Sequence, residues 1–128
     1  MKYLLDTHAL LWFLREPSML PPKVLETIES AGADAAVSLA SLWEIAIKAS
    51  LNKLYLPKPF DELFPHSVPE SGLALLPIEP SHIAAVSRLP FHHRDPFDRL
   101  LVAQAQVEGL TMVTCDAAFA AYGIPLLW

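Results

Sequence analysis

Apolar residues in this chain fall in short runs, some with the spacing of strands and some with that of helices. Lys2-Tyr3-Leu4-Leu5 is brief and apolar and reads as a buried strand. Residues 7–15 follow with Ala9, Leu10, Leu11, Trp12, Phe13 and Leu14, a helix expected to be buried on most sides. Pro21-Pro22 opens a second helix that runs to Gly32 with Val24, Leu25 and Ile28 on one face. Ala35-Ala36-Val37 is a short strand, and Leu39 to Leu54 a long helix ended by Pro57 and Pro59. Residues 58–72 are punctuated by proline, with one short helix around Asp61-Glu62-Leu63-Phe64. Leu73 to Ile78 is a third strand, Pro80 to Leu89 a helix, and residues 91–94 a polar loop. Pro96 to Glu108 is a helix closed by Gly109. Residues 110–114 form a fourth strand, 117–122 a short helix, and Ile124 to Trp128 a fifth strand. Strands alternating with helices predict an α/β fold built on a mainly parallel sheet.

Length and composition narrow this further. A chain of 128 residues fits one domain, residues 1–128, and 53% hydrophobic content supplies its core. Charged residues make up 18%, below the usual ~25%, so much of the surface is neutral or covered by a partner. The lone Cys115 excludes an intrachain disulfide and offers no cysteine framework for a metal. Asp6 follows the first apolar residues at once, without the pattern of a secretory signal. Glu44 and Lys48 interrupt the most apolar region, so no membrane span is expected, and a cytoplasmic location is.

Four acids stand out by placement: Asp6, Glu44, Asp98 and Asp116. Asp6 closes the first strand and Asp116 the fourth; Asp98 lies in the first turn of the helix opened by Asp95-Pro96; Glu44 lies in an apolar helix just after a strand. Each has an ordinary explanation. Asp6, Asp95 and Asp116 can cap helices. Asp98 can complete a capping box or favour the helix dipole. Glu44 can box with Ser41 or pair with Lys48 one turn on. Yet parallel sheets gather their ligands at the carboxyl ends of strands, and Asp6 and Asp116 both belong there. An unpartnered Glu44 among Leu42, Trp43 and Ile45 would be costly. A hard cation, Mg²⁺ or Mn²⁺, explains all four positions together. Such an ion polarises a phosphoryl oxygen and acidifies a bound water, and a second ion about 3.5–4 Å away stabilises the leaving oxygen. The reaction class is metal-assisted phosphodiester hydrolysis. The hydroxyls of Thr7 and Thr114 stand next to site acids and can orient them or their waters, or simply serve as strand and cap donors. The net charge of −5 does not exclude a nucleic-acid partner, because these four acids account for nearly all of the excess.

Four segments in order, Leu4-Leu5-Asp6-Thr7-His8-Ala9-Leu10-Leu11-Trp12, residues 38–48 around Glu44, residues 94–105 with Asp95-Pro96-Phe97-Asp98, and residues 109–116 ending in Asp116, resemble the PIN-domain ribonucleases, specifically the VapC-like toxins of toxin–antitoxin pairs. The resemblance implies a three-layer α/β/α sandwich and an Mg²⁺- or Mn²⁺-dependent endoribonuclease. It places the acidic site at Asp6, Glu44, Asp98 and Asp116, with Asp6 and Asp98 the firmest metal ligands and Asp95 a cap or supporting group. Position 8 is His where many relatives carry Asn or Ser. The family implies an RNA substrate, a homodimer and a cognate antitoxin. Leu11, Trp12, Leu14, Trp43, Ile47, Leu51 and Leu54 would suit an apolar groove for the antitoxin, or the core. Arg15, Lys48, Lys53, His93, Arg94 and Arg99 are the cations nearest the motifs; Arg94 and Arg99 are expected in salt bridges, and His92-His93 in a solvated loop. Two rivals remain: a non-catalytic α/β module that docks a helical partner, and a phosphatase with an Asp6 nucleophile, which would want Asp rather than His at position 8.

Overall fold

The computed structural model describes residues 1–128, the side chain of Pro65 excepted. Its elements are β1 (Tyr3–Leu5), α1 (Thr7–Arg15), α2 (Pro22–Ala31), β2 (Ala35–Ser38), α3 (Leu39–Ser50), α4 (Phe60–Glu70), β3 (Ala74–Leu76), α5 (Pro80–Val86), α6 (Pro96–Glu108), β4 (Thr111–Val113) and β5 (Leu126–Leu127). Short 3₁₀ turns occupy Pro17–Met19, Gly32–Asp34 and Ala117–Tyr122. The five strands pair in the order β3-β2-β1-β4-β5, every pair parallel.

Because side chains on a strand alternate between faces, successive residues feed two different cores. Leu4, Ala36 and Met112 pack with α5, α6 and the Phe119–Ile124 segment. Leu5, Val37 and Val113 pack on the opposite face with residues of α1, α2, α3 and α4. The result is the expected α/β/α sandwich.

Three expectations need correction. The third helix stops at Ser50, four residues short of Leu54. Asn52 takes a left-handed conformation, φ 56°, and the Lys53 N–H reaches back to the Lys48 carbonyl, which closes the helix end as a Schellman turn. The proline-rich stretch holds a full helix, α4, that runs through Pro65 and Pro69. Each proline removes a backbone donor, but Phe64 and Val68 lie in the core and Phe60 stacks on Phe64 at 4.8 Å, which holds the helix together. Finally, α1 is buried on one side only: Thr7, Ala9 and Leu10 are buried, whereas Leu11 to Leu14 stay half-exposed.

A buried polar link fixes α6 against the sheet. The Ser38 hydroxyl at the end of β2 donates to Gln104 Oε1 (2.5 Å), and Gln104 Nε2 donates to the Pro77 carbonyl (3.2 Å). Gln104 is fully buried. Replacing it with Leu leaves the buried Ser38 O–H without an acceptor, at about 1–3 kcal/mol for a buried group left unpaired. Urea denaturation of Gln104→Leu should show a lower midpoint with an unchanged slope.

Candidate functional site

The strand order reverses direction at β1: the chain leaves it to β2 on one side and returns to β4 on the other. That switch point is where the carboxyl ends of parallel strands open a crevice. Asp6 follows β1 there, and its backbone N–H bonds the Val113 carbonyl of β4 (3.1 Å). Asp116 lies three residues beyond β4. Asp98, at the third position of α6, and Glu44, on the second turn of α3, come in from the neighbouring helices. A cavity of about 150 Å³ is lined by Asp6, Thr7, Glu44, Asp95, Asp98 and Asp116, with His8, Lys48, Cys115 and Phe119 completing the wall. The structure thus brings the four expected acids, and Asp95, to one place.

The capping roles are real as well. Asp6 Oδ1 accepts from the Ala9 N–H (2.8 Å), Asp95 Oδ1 from the Phe97 and Asp98 N–H groups, and Asp116 Oδ1 from the Ala118 N–H (2.9 Å). Each of these acids therefore stands at a helix start with its second oxygen free for other work. For Asp6 that oxygen accepts the Thr114 hydroxyl at 2.5 Å. For Asp116 it meets His93 Nε2 at 3.2 Å. Glu44 makes no box with Ser41. Thr7 donates to its Oε1 (2.7 Å) and Lys48 to its Oε2 (2.6 Å). So both threonines orient site acids.

Asp98 differs from the others. Burial, then the neighbouring charges of Asp95 and Glu44, push its pKa up to about 6, and no hydrogen bond offsets them. Burial also raises the Asp6 pKa, against the opposing hydrogen bonds from Thr114 and Ala9. Burial disfavours the charged form of Asp116 too, but the Ala118 N–H and His93 outweigh it and its pKa lies below the ordinary value. The bond to Glu44 raises the Lys48 pKa, so its ammonium is firmly charged. Among the described residues no three His, Cys, Asp or Glu side chains converge closely enough to ligate a single ion by themselves. The donors facing the cavity are nonetheless hard carboxylate oxygens in excess over Lys48 and His93. That chemistry suits Mg²⁺ or Mn²⁺, and Mg²⁺ commonly takes one or two carboxylates and completes its shell with water and substrate phosphate.

The PIN domain family model matches residues 3–125. The chain belongs to the PIN domain family. A ribonuclease of Mycobacterium tuberculosis, VapC22, is 32% identical over 118 residues, covering 88% of this chain and 85% of that protein. Among solved structures, the DNA-bound VapBC complex of Salmonella typhimurium superposes with a TM-score of 0.76 at 18% identity, covering 99% of this chain and 97% of that one. The promoter-bound VapBC2 complex of Rickettsia felis gives 0.73 at 18% identity, with coverage of 99% and 98%. These likenesses bear out both the PIN-like sandwich and the resemblance to VapC-like proteins.

Three side chains of this PIN domain sit differently from expectation. His93 is not in a solvated loop. Its ring stacks on Phe119 (4.6 Å) and Tyr122 (5.5 Å), its backbone N–H donates to the Tyr122 hydroxyl (2.8 Å), and Nε2 faces Asp116. Among the described residues Arg99 pairs with no acid. It is 6% exposed, donates to the carbonyls of Val86, Leu89 and Pro90, and lies 4.0 Å from the Phe91 ring centre. It therefore caps the end of α5. Arg94 is exposed and makes no ion pair among the described residues. The residues expected in one apolar groove are divided. Leu11 and Leu14 line a hollow of about 230 Å³ with Leu56, Leu63 and Phe64; Leu11, Trp12 and Leu54 line a second of about 320 Å³. Ile47 is half-buried, and Trp43 and Leu51 stand exposed.

Proposed function

We propose that residues 1–128 form a single nuclease domain, the toxin of a toxin–antitoxin pair, that cleaves RNA endonucleolytically with Mg²⁺ or Mn²⁺. The observation that carries this reading is the gathering of Asp6, Glu44, Asp98 and Asp116 around one cavity at the sheet's switch point. Asp98 and Asp6 are the residues that would hold the ion, Asp98 because its carboxylate is desolvated, crowded by like charge and free of hydrogen bonds. Once bound, the ion polarises a phosphoryl oxygen and supplies an activated water for hydrolysis. Asp116, braced by Ala118 and His93, and Glu44, braced by Thr7 and Lys48, complete the negative wall and would orient a water entering the cavity. Thr114 fixes the Asp6 carboxylate, and Asp95 sets the first turn that delivers Asp98.

A cognate antitoxin fits the apolar hollow of Leu11, Leu14, Leu63 and Phe64. A homodimer is supported by exposed apolar surface on α3 and α6, where Trp43, 59% exposed, packs edge-on against Phe97 at 5.2 Å. A cytoplasmic location suits such a toxin; among the described residues no helix is long and apolar enough to cross a membrane.

Inducible expression of wild type and Asp6→Asn in a bacterial host tests the toxin reading. Growth arrest with new RNA 5′ ends is expected from wild type alone; equal growth of both cultures contradicts it. Metal binding supplies a pH signature. Asp98 must lose its proton, so Mn²⁺ affinity should rise from pH 5 to 7 and level off above the Asp98 pKa near 6. Titration calorimetry showing a flat affinity over that range would remove Asp98 from the ligand set. A docking module whose acids are only caps should bind Mn²⁺ no better than its Asp6→Asn variant.

A further inference from the structure

The four acids do not need a cation equally. Asp98 is desolvated, crowded by Asp95 and Glu44, and free of hydrogen bonds. Glu44 is the opposite case. It is 5% exposed, and each of its oxygens already has a donor: the Thr7 hydroxyl on Oε1 at 2.7 Å and the Lys48 ammonium on Oε2 at 2.6 Å. Glutamate followed by lysine one turn on is the favourable order along a helix. The pair therefore belongs to α3 alone and stands before any ligand arrives.

Lys48 does more than satisfy Glu44. It lines the acid cavity itself, and the charges of Asp95 and Asp98 also act on it. An ammonium has three donors, and among the described residues only Glu44 accepts from this one. Its side chain is 43% exposed, so the other two donors are open to an incoming group. A lysine binds phosphate as a compact point charge. In two-ion hydrolysis the second ion serves to neutralise charge on a reacting oxygen, and a fixed ammonium beside the same carboxylates can do that without a metal. Admitting an ion at Glu44 would first break this pair and leave the carboxylate to be satisfied again, which is costly for a buried charge.

We propose that the Lys48 ammonium is the site's built-in second cation, so that the acids take one divalent ion, held by Asp98 and Asp6, and Lys48 meets the phosphate where a second ion would otherwise be needed. This rests on the nuclease reading and fixes its metal stoichiometry.

The test counts Mn²⁺ on the whole purified protein, by loss of the free-ion signal in electron paramagnetic resonance, with no RNA present. Wild type should saturate at one ion per chain. Lys48→Met removes the amine at similar length and should take a second ion at the bared Glu44. Lys48→Gln keeps a neutral donor for Glu44 and should also reach two, so the count stays decisive if Lys48→Met folds poorly. Lys48→Arg retains the charge and should stay at one. Combining Glu44→Gln with Lys48→Met should return the count to one, a reversal that a merely structural role for Lys48 would not produce. Two ions on wild type, or one on both neutral variants, overturns the proposal and leaves the nuclease reading standing. If wild type binds no Mn²⁺ and cleaves no RNA in Mg²⁺, the nuclease reading falls and the proposal with it.

Discussion

Asp98→Asn should lose RNA cleavage and gain stability at the same time. Loss of a carboxylate that holds the ion removes transition-state stabilisation of several kcal/mol, which is about 10²–10³-fold in rate. The stability change has the opposite sign because Asp98 sits under strain from burial and from Asp95 and Glu44. Its folded pKa near 6 exceeds the ordinary 3.8, so the folded state binds the proton more tightly than the unfolded one. The contribution of Asp98 to stability is therefore most favourable below pH 4, falls as pH rises through 6, and stays reduced above. Asparagine carries no charge and avoids that loss. Because Asp98 is only about half-buried, solvent screens the effect to about 1 kcal/mol. In metal-free buffer at pH 7.5 the variant should melt about 3–4 °C above wild type, with the gap closing near pH 4. A variant that melts lower at neutral pH would show that Asp98 has a structural role that outweighs its charge.

The largest loss of stability is expected from Arg99. Its guanidinium spans three carbonyls at the end of α5 and the start of the loop that carries His93. Hydrogen bonds from a charged donor contribute about 1.5–3 kcal/mol each, and not all of that is lost at once. Arg99→Ala should cost about 3 kcal/mol or more, a melting temperature lower by about 10 °C. Arg99→Lys should recover little, since an ammonium on a flexible stem does not reproduce a planar fork. The cost should be the same at low and high salt, because the partners are carbonyls and not acids; a strong salt dependence would point to an ion pair instead.

How much of this was legible in the residues varied by element. The bounds of α1 and α6 match expectation because their signals are local: Asp6 and Asp95 cap the starts, and Gly109, at φ 67°, closes the second. Every strand but β2 is shorter than the apolar run that marks it, since Ile78 and Trp128 pack or project beyond the last ladder bond, whereas β2 runs one residue further, to Ser38. The helix α4 was hidden by its prolines, because the burial of Phe64 and Val68 that holds it is a tertiary matter. The gathering of the acids was legible from topology, as strands that run parallel place Asp6 and Asp116 on one edge. The bracing of those acids was only half legible. Lys48 lies one turn from Glu44, a spacing that itself implies the pairing. His93 meets Asp116 across 23 residues and Thr7 meets Glu44 across 37, and no periodicity links such positions. Arg99 differs for a local reason: Asp98 is its neighbour in the chain, but consecutive side chains on a helix do not face each other, and Arg99 turns to the carbonyls of Val86, Leu89 and Pro90.

The central claim is that the carboxylates at the β1–β4 edge, together with a divalent ion, cleave RNA. Its most direct test is incubation of the purified protein with RNA in Mg²⁺, in Mg²⁺ with excess chelator, and with Asp6→Asn in Mg²⁺. Discrete internal cleavage in the first reaction and intact RNA in the other two is the predicted result. Cleavage that persists in the chelator and in the variant would contradict it.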